Sequence, residues 1–173
     1  MQITIALGQM DVALGQPERK GTTAQTLAAH AAEQWADLLL LPDLWHSVYD
    51  LEQAGAYAAP LEAGAFALMA DLAQAHHLYV AGTALEANPQ GRPFNTAALY
   101  GPDGARMGAY RKVHLWAPMG EVDHMSPGGA LPAFDLPWGR VALAICYDLR
   151  FPEMWRRYAD AGAQLVLIPA EWP

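Results

Sequence analysis

One thiol, one lysine and two carboxylates stand where they could do nucleophilic chemistry. Cys146 is the chain's single cysteine, at the end of the apolar run Val141-Ala142-Leu143-Ala144-Ile145. A helix is expected within a few residues of it. A strand–turn–helix of this kind exposes a nucleophile, and the backbone N–H groups after it can hold an oxyanion. By type alone, a lone cysteine at a strand end is more often buried filler. Lys112, in Tyr110-Arg111-Lys112-Val113-His114-Leu115, follows another expected strand. It could be a fixed cation for developing negative charge or an ordinary solvated lysine. Asp43 follows the run Leu38–Leu41 and could serve as a general base, or could cap a helix or make a turn. Glu121 lies in loop-like sequence beyond Lys112, where a solvated charge is the ordinary expectation. Spacing alone does not bring the four together.

The elements that must position them alternate. Ile3–Leu7 reads as a buried strand, and Thr22–Gln34 as a helix from the recurrence of Ala24, Leu27, Ala28 and Ala31. Leu38–Leu41, stopped by Pro42, reads as a strand buried on both faces. Ala65–His76 reads as a second helix and Leu78–Leu85 as a third strand. Thr96–Tyr100 and Arg106–Tyr110 flank Gly101-Pro102-Asp103-Gly104, a hairpin signal. His114–Gly129 reads as loop. Leu131–Leu136 and Arg140–Cys146 pair around Pro137-Trp138-Gly139, and Leu165–Ile168 is the last strand. A helix over Phe151–Ala161 has Pro152 in its first turn and Gly162 after its end. This order predicts an α/β layered fold with a mixed sheet.

Composition narrows the function. With 173 residues, 53% of them hydrophobic, the chain can bury a sizeable core within one domain. A net charge of -8 with no basic cluster argues against nucleic acid and against an anionic membrane surface. No apolar run is long enough to span a bilayer, and the amino terminus lacks the pattern of a signal peptide. A single cysteine allows no internal disulfide and suits a reducing, cytoplasmic setting. It also leaves a thiol redox role without a resolving partner. No metal-ligand cluster is visible, since the adjacent His76 and His77 point apart on a helix.

The segment Gly139–Glu153, centred on Ala144-Ile145-Cys146-Tyr147-Asp148, resembles the cysteine motif of the nitrilase superfamily of carbon–nitrogen hydrolases. Tyr110–Leu115 matches that family's lysine motif, and Leu41-Pro42-Asp43-Leu44-Trp45 stands where its glutamate motif belongs. The order is the family's, and Asn95-Thr96-Ala97 and Pro169-Ala170-Glu171-Trp172-Pro173 are also family-like. The resemblance covers essentially residues 1–173 and favours the amidase-like branches. It implies an αββα sandwich, here its amino-terminal two thirds as a partial carbon–nitrogen hydrolase domain. It further implies hydrolysis of a small carboxamide to an acid and ammonia through a thioester, with no cofactor, and assembly as a homo-oligomer. Cys146 would be the nucleophile and Asp43 the base. Lys112 and the Tyr147 N–H would hold the oxyanion, Glu121 would position the lysine, and Trp172 would contact substrate.

Four features depart from the family pattern. Asp43 replaces a glutamate and is one methylene shorter. Trp35 and Val48 stand where glycine is usual, which predicts strain if the backbone there is left-handed. The chain also stops where family members continue with further strands and helices. A second reading is therefore a non-catalytic, truncated or degenerate member of the same family.

Overall fold

The computed structural model describes residues 2–11 and 14–172. Met1, and Pro173 of the last family-like motif, lie outside the described residues. Strands β1 (Ile5–Leu7), β2 (Leu38–Leu40), β3 (Tyr79–Glu86), β4 (Phe94–Tyr100) and β5 (Arg106–Arg111) form one sheet in chain order. The first three are parallel and the last two antiparallel. A second sheet holds β6 (Ala133–Leu136), β7 (Gly139–Leu143) and β8 (Leu165–Leu167), with β6–β7 antiparallel and β7–β8 parallel. The strand order read from sequence is right, but it makes two mixed sheets rather than one.

Leucines 38 to 41 show why the layers stack. Side chains alternate across a strand. Leu39 and Leu41 join the core under helices α1 (Pro17–Glu33) and α3 (Gly64–His76), beside Ala24, Ala28, Phe66 and Met69. Leu38 and Leu40 face the other way, into a core shared with Val141 and Leu143 of the second sheet and with Ile145 just beyond β7. Helix α5 (Pro152–Asp160), between β7 and β8, adds Met154 and Tyr158 to the same core, and the Tyr158 hydroxyl donates to the Leu143 carbonyl at 2.5 Å. The layers are thus helix, sheet, sheet, helix. Gly108 on β5 lets the sheets close, because a Cβ there would lie 2.2 Å from the Phe134 ring.

Several boundaries move for local reasons. Helix α1 starts at Pro17, five residues before the apolar repeat becomes visible, with proline in the first turn and Glu18 near the positive end of the helix dipole. The loop expected over His114–Gly129 contains a 3-10 turn at Ala117–Met119 and the short helix α4 (Glu121–His124). A 3-10 turn (Leu51–Gln53) and helix α2 (Ala54–Tyr57) were not anticipated. Strand β7 ends at Leu143 rather than Cys146, although the Ala144 N–H still donates to the Leu167 carbonyl at 3.0 Å; the chain turns at Cys146, where φ is 43.

Both positions singled out for missing glycines are left-handed. Trp35 has φ 57 and Val48 φ 54. At Trp35 the reason is a helix stop: Trp35 N–H donates to Ala32 and Ala36 N–H to Ala31, both at 3.0 Å, the paired bonds of a Schellman motif. Trp35 is 88% exposed, so little packing offsets its strain. Trp35→Gly should relieve about 1–2 kcal/mol and lose about 0.5–1 to unfolded-chain entropy, a small net gain. Val48 is buried, so Val48→Gly should show no such gain. Chemical denaturation of the two variants tests the contrast, which fails if Trp35→Gly is the less stable change.

Candidate active site

Two strand ends and one short helix deliver the charged groups. Past β2, the Leu41 N–H still pairs with the Ala81 carbonyl at 2.7 Å, which carries the chain to Asp43. Past β5, the Lys112 N–H donates to the Asn95 carbonyl at 2.9 Å. Glu121 opens α4. Asp43, Lys112 and Glu121 are all fully buried. The Lys112 ammonium lies 2.7 Å from Glu121 Oε1 and 3.7 Å from Asp43 Oδ2. Neither Lys112 nor Glu121 is the solvated charge that its residue type suggests.

Asp43 is held on every side. Its Oδ1 accepts from the Thr83 hydroxyl at 2.8 Å and the Asn95 amide at 2.9 Å, and its Oδ2 from the Tyr49 hydroxyl at 2.9 Å. Thr83 in turn accepts from the Leu44 N–H at 2.6 Å. The Tyr49 hydroxyl also lies 3.0 Å from Glu121 Oε1, and Glu121 Oε2 accepts the Trp116 N–H at 2.6 Å. Sequence reasoning placed none of Tyr49, Thr83 and Asn95 in the site, although Asn95 stood in the family-like Asn95-Thr96-Ala97. Thr83 carried one signal, a hydroxyl inside an apolar strand.

The cysteine sits on a strained turn. Cys146 at φ 43 and Leu44 at φ 42 both occupy the left-handed region, each at about 1–3 kcal/mol. The Cys146 N–H is fixed to the Pro169 carbonyl at 2.9 Å. Asp148, fully buried, clamps the turn: it accepts from the Ile145 N–H at 2.9 Å, the Tyr110 hydroxyl at 2.8 Å and the His114 N–H at 3.1 Å. One carboxylate so ties the cysteine segment to the lysine segment. Asp148 lay inside the quoted motif, but only the fold gives it this task.

Tyr147 is second in the 3-10 turn Cys146–Arg150, where backbone N–H groups lack intrahelical partners. Its ring packs against Trp116 at 4.4 Å and Phe151 at 5.2 Å. Trp172 is half exposed, with the Arg150 guanidinium 5.5 Å from its ring centre. It lines a cavity of about 400 Å³ with Gln9, Lys20, Trp45 and Glu171. That volume suits a small ligand, but Cys146, Lys112, Asp43 and Glu121 do not line it; it borders them through Pro42 and Glu171.

Charge decides how the thiol rests. Burial raises the Cys146 pKa, and Asp43 raises it further; Lys112 and the Glu171 carbonyl oppose this without cancelling it. The thiol is therefore protonated near neutral pH, and a nucleophilic role would call for a base beside it. Among the described residues, the hydrogen bond made by Sγ goes to the Glu171 carbonyl at 3.7 Å, not to Asp43. For Lys112, burial favours the neutral amine, but Asp43 and then Glu121 outweigh it, so the ammonium persists. Tyr49 is pushed far above the usual phenol range by burial and then by Asp43 and Glu121, so it keeps its proton.

Glu171 titrates in the working range. Burial and then Asp43 raise its pKa to about 7, against partial opposition from Lys20. A carboxyl raised on folding binds its proton more tightly in the folded state. The contribution of Glu171 to stability is therefore greatest at low pH and falls as pH rises from 4.5 through about 7. Glu171→Gln should flatten the stability curve across that window. An unchanged slope in urea titrations at several pH values would refute the assignment.

Among the described residues, no group of three or more His, Cys, Asp and Glu side chains could hold a metal ion. No described helix is long and apolar enough to cross a membrane.

Comparison with known proteins gives a consistent picture. The carbon–nitrogen hydrolase family model matches residues 4–172. Omega-amidase NIT2 of Homo sapiens is 33% identical over 155 residues, 86% of this chain and 56% of that protein. The Bos taurus omega-amidase NIT2 is 33% identical over 172 residues, 95% of this chain and 62% of that protein. The chain thus spans somewhat over half the length of these curated relatives. A glutamate-to-glutamine mutant of the amidase from Nesterenkonia sp. AN1, solved after Michael addition of acrylamide at its active-site cysteine, superposes with a TM-score of 0.89 at 30% identity. It covers 98% of this chain and 67% of that one. Saccharomyces cerevisiae Nit3, of branch 10 of the nitrilase superfamily, gives 0.87 at 27% identity, with 98% and 65% covered.

Proposed function

Because this chain belongs to the carbon–nitrogen hydrolase family of the nitrilase superfamily, we propose that it hydrolyses a small carboxamide to a carboxylic acid and ammonia, with Cys146 as nucleophile. The observation that carries this reading is the buried Asp43–Lys112–Glu121 ion cluster whose charges act on the Cys146 thiol.

The residues then divide the work. Cys146 Sγ attacks the amide carbon while Asp43 takes the thiol proton. The carbonyl oxygen becomes an oxyanion held by the Lys112 ammonium and the Tyr147 N–H. Asp43 returns its proton to the leaving nitrogen, the C–N bond breaks, and ammonia departs to leave a thioester. A water molecule, deprotonated by Asp43, attacks the thioester and releases the acid and the thiol. Glu121 keeps Lys112 in place at 2.7 Å. Trp172 forms a wall of the adjoining cavity. No step calls for a cofactor or metal. The setting we propose is the cytoplasm, with assembly into homo-oligomers, and with neither nucleic acid nor membrane as a partner, consistent with the net charge of -8.

Asp43 supports a second reading, a non-catalytic member of the family. It is short for its task, and Sγ hydrogen-bonds away from it. One experiment separates the two: incubation with a panel of small primary amides, followed by ammonia release and by the intact mass of the protein. The first reading expects ammonia together with a transient acyl increment on Cys146. Absence of both across the panel would leave the second.

A further inference from the structure

The cavity of about 400 Å³ and the cysteine turn share one residue. Glu171 lines the cavity with Lys20, Trp45 and Trp172, and its backbone carbonyl accepts the hydrogen bond from Cys146 Sγ at 3.7 Å. Its carboxylate lies within range of the charges on Lys20, in the same lining, and on Asp43, next to Pro42 of that lining. A glutamate carboxyl carbon stands roughly 4 Å from its own Cα, so this one is within about 10 Å of Sγ. Burial and those two charges act on the carboxylate, and among the described residues no hydrogen bond does. A partly buried carboxylate without donors is costly, and a ligand that brings a donor relieves it.

The neighbouring charges select the kind of donor. Lys20 is buried, and its ammonium is paired with Asp11 Oδ1 at 3.2 Å. An incoming anion would have to compete with Asp11 and would face Glu171 and Asp43. An incoming ammonium meets a carboxylate that lacks donors, between the indole rings of Trp45 and Trp172. The Trp172 ring already has the Arg150 guanidinium 5.5 Å from its centre.

We propose that Glu171 is a specificity-determining residue, whose carboxylate receives the ammonium of a short ω-amino amide while the carboxamide end reaches Cys146. The proposal rests on the reading of this chain as an amidase with Cys146 as nucleophile, and it names the substrate class. The span fits a four-carbon compound. In extended 4-aminobutanamide the amide carbon and the ammonium nitrogen lie about 5 Å apart, and a contact of about 3 Å at each end accounts for the rest.

Binding tests this without chemistry. In the Cys146→Ala protein, calorimetry with 4-aminobutanamide, with its uncharged isostere pentanamide and with the anion succinamate compares three distal groups on one scaffold. At about pH 8 most of Glu171 is ionised, because its pKa is about 7. There 4-aminobutanamide should bind about 10-fold more tightly than pentanamide, and adding Glu171→Gln should bring that ratio to about one. Near neutral pH the ammonium should also displace a proton from Glu171, which heats measured in buffers of different ionisation enthalpy reveal, and Glu171→Gln should abolish that release. The charged groups facing Glu171 are Asp43 after β2, Asp11 before α1 and Lys20 on α1, and all three are the same in both proteins. Equal binding of 4-aminobutanamide and pentanamide overturns the proposal, as does a preference that survives Glu171→Gln. Tightest binding by succinamate overturns it too and makes Lys20 the recognising charge. In the unsubstituted chain the same preference should appear in kcat/KM for ammonia release. If the binding preference is present but no amide is hydrolysed, the catalytic reading fails and Glu171 remains the ammonium site.

Discussion

Cys146→Ala is expected to abolish ammonia release from any amide substrate, and Lys112→Ala to lower it by about 10²–10³-fold or more. The two losses differ in kind. Alanine at 146 removes the atom that forms the thioester, so neither turnover nor an acyl adduct should be measurable. Alanine at 112 leaves a thiol that can still be alkylated but removes the fixed cation from the oxyanion. It also strands two fully buried carboxylates, Asp43 and Glu121, at a stability cost of about 3–5 kcal/mol. Rates for Lys112→Ala therefore have to be read on the folded fraction, established by circular dichroism and urea titration. Substantial ammonia release by folded Lys112→Ala protein would remove lysine from the oxyanion site. Release by Cys146→Ala would remove the thioester altogether.

Asp43→Glu should raise the chemical rate, by up to about 100-fold if the aspartate falls short by about 1 Å. The gain should appear in kcat rather than KM, because a base acts on proton transfer in the transition state. The structure adds a cost. Asp43 is fully buried among Thr83, Asn95 and Tyr49, and an added methylene there strains the packing by about 1–3 kcal/mol. A faster but less stable enzyme is the expected result. If the rate is unchanged while Cys146→Ala is inactive, aspartate already reaches the thiol proton, and the hydrogen bond from Sγ to the Glu171 carbonyl is only a resting arrangement.

Trp35 and Val48 show local chemistry that is legible without a structure. A bulky residue where the resembling family has glycine implies a left-handed backbone, and both positions have it, Trp35 just past a helix end and Val48 in the turn after Asp43. The strand order was legible for a similar reason, since turn residues and apolar periodicity act over a few neighbours. So were the three motif residues Asp43, Lys112 and Cys146 as chemically notable side chains, and the family they resemble.

What only the tertiary structure decided is where unlike segments meet. The alternation in Leu38–Leu41 says that both faces are buried, but not that one meets helices and the other a second sheet. Glu121 reads as a solvated loop charge in one dimension. It becomes buried because Lys112, nine residues earlier, and Tyr49, seventy-two residues earlier, supply donors that offset its desolvation. Tyr49, Thr83, Asn95 and Asp148 acquire their roles in the same way, through partners 38 to 72 residues apart in most cases and invisible to any local pattern. Sequence determines which groups could react and the short-range geometry that presents them. The fold decides their charge state, because burial and the placement of counter-charges depend on contacts that the chain makes only once it has closed on itself.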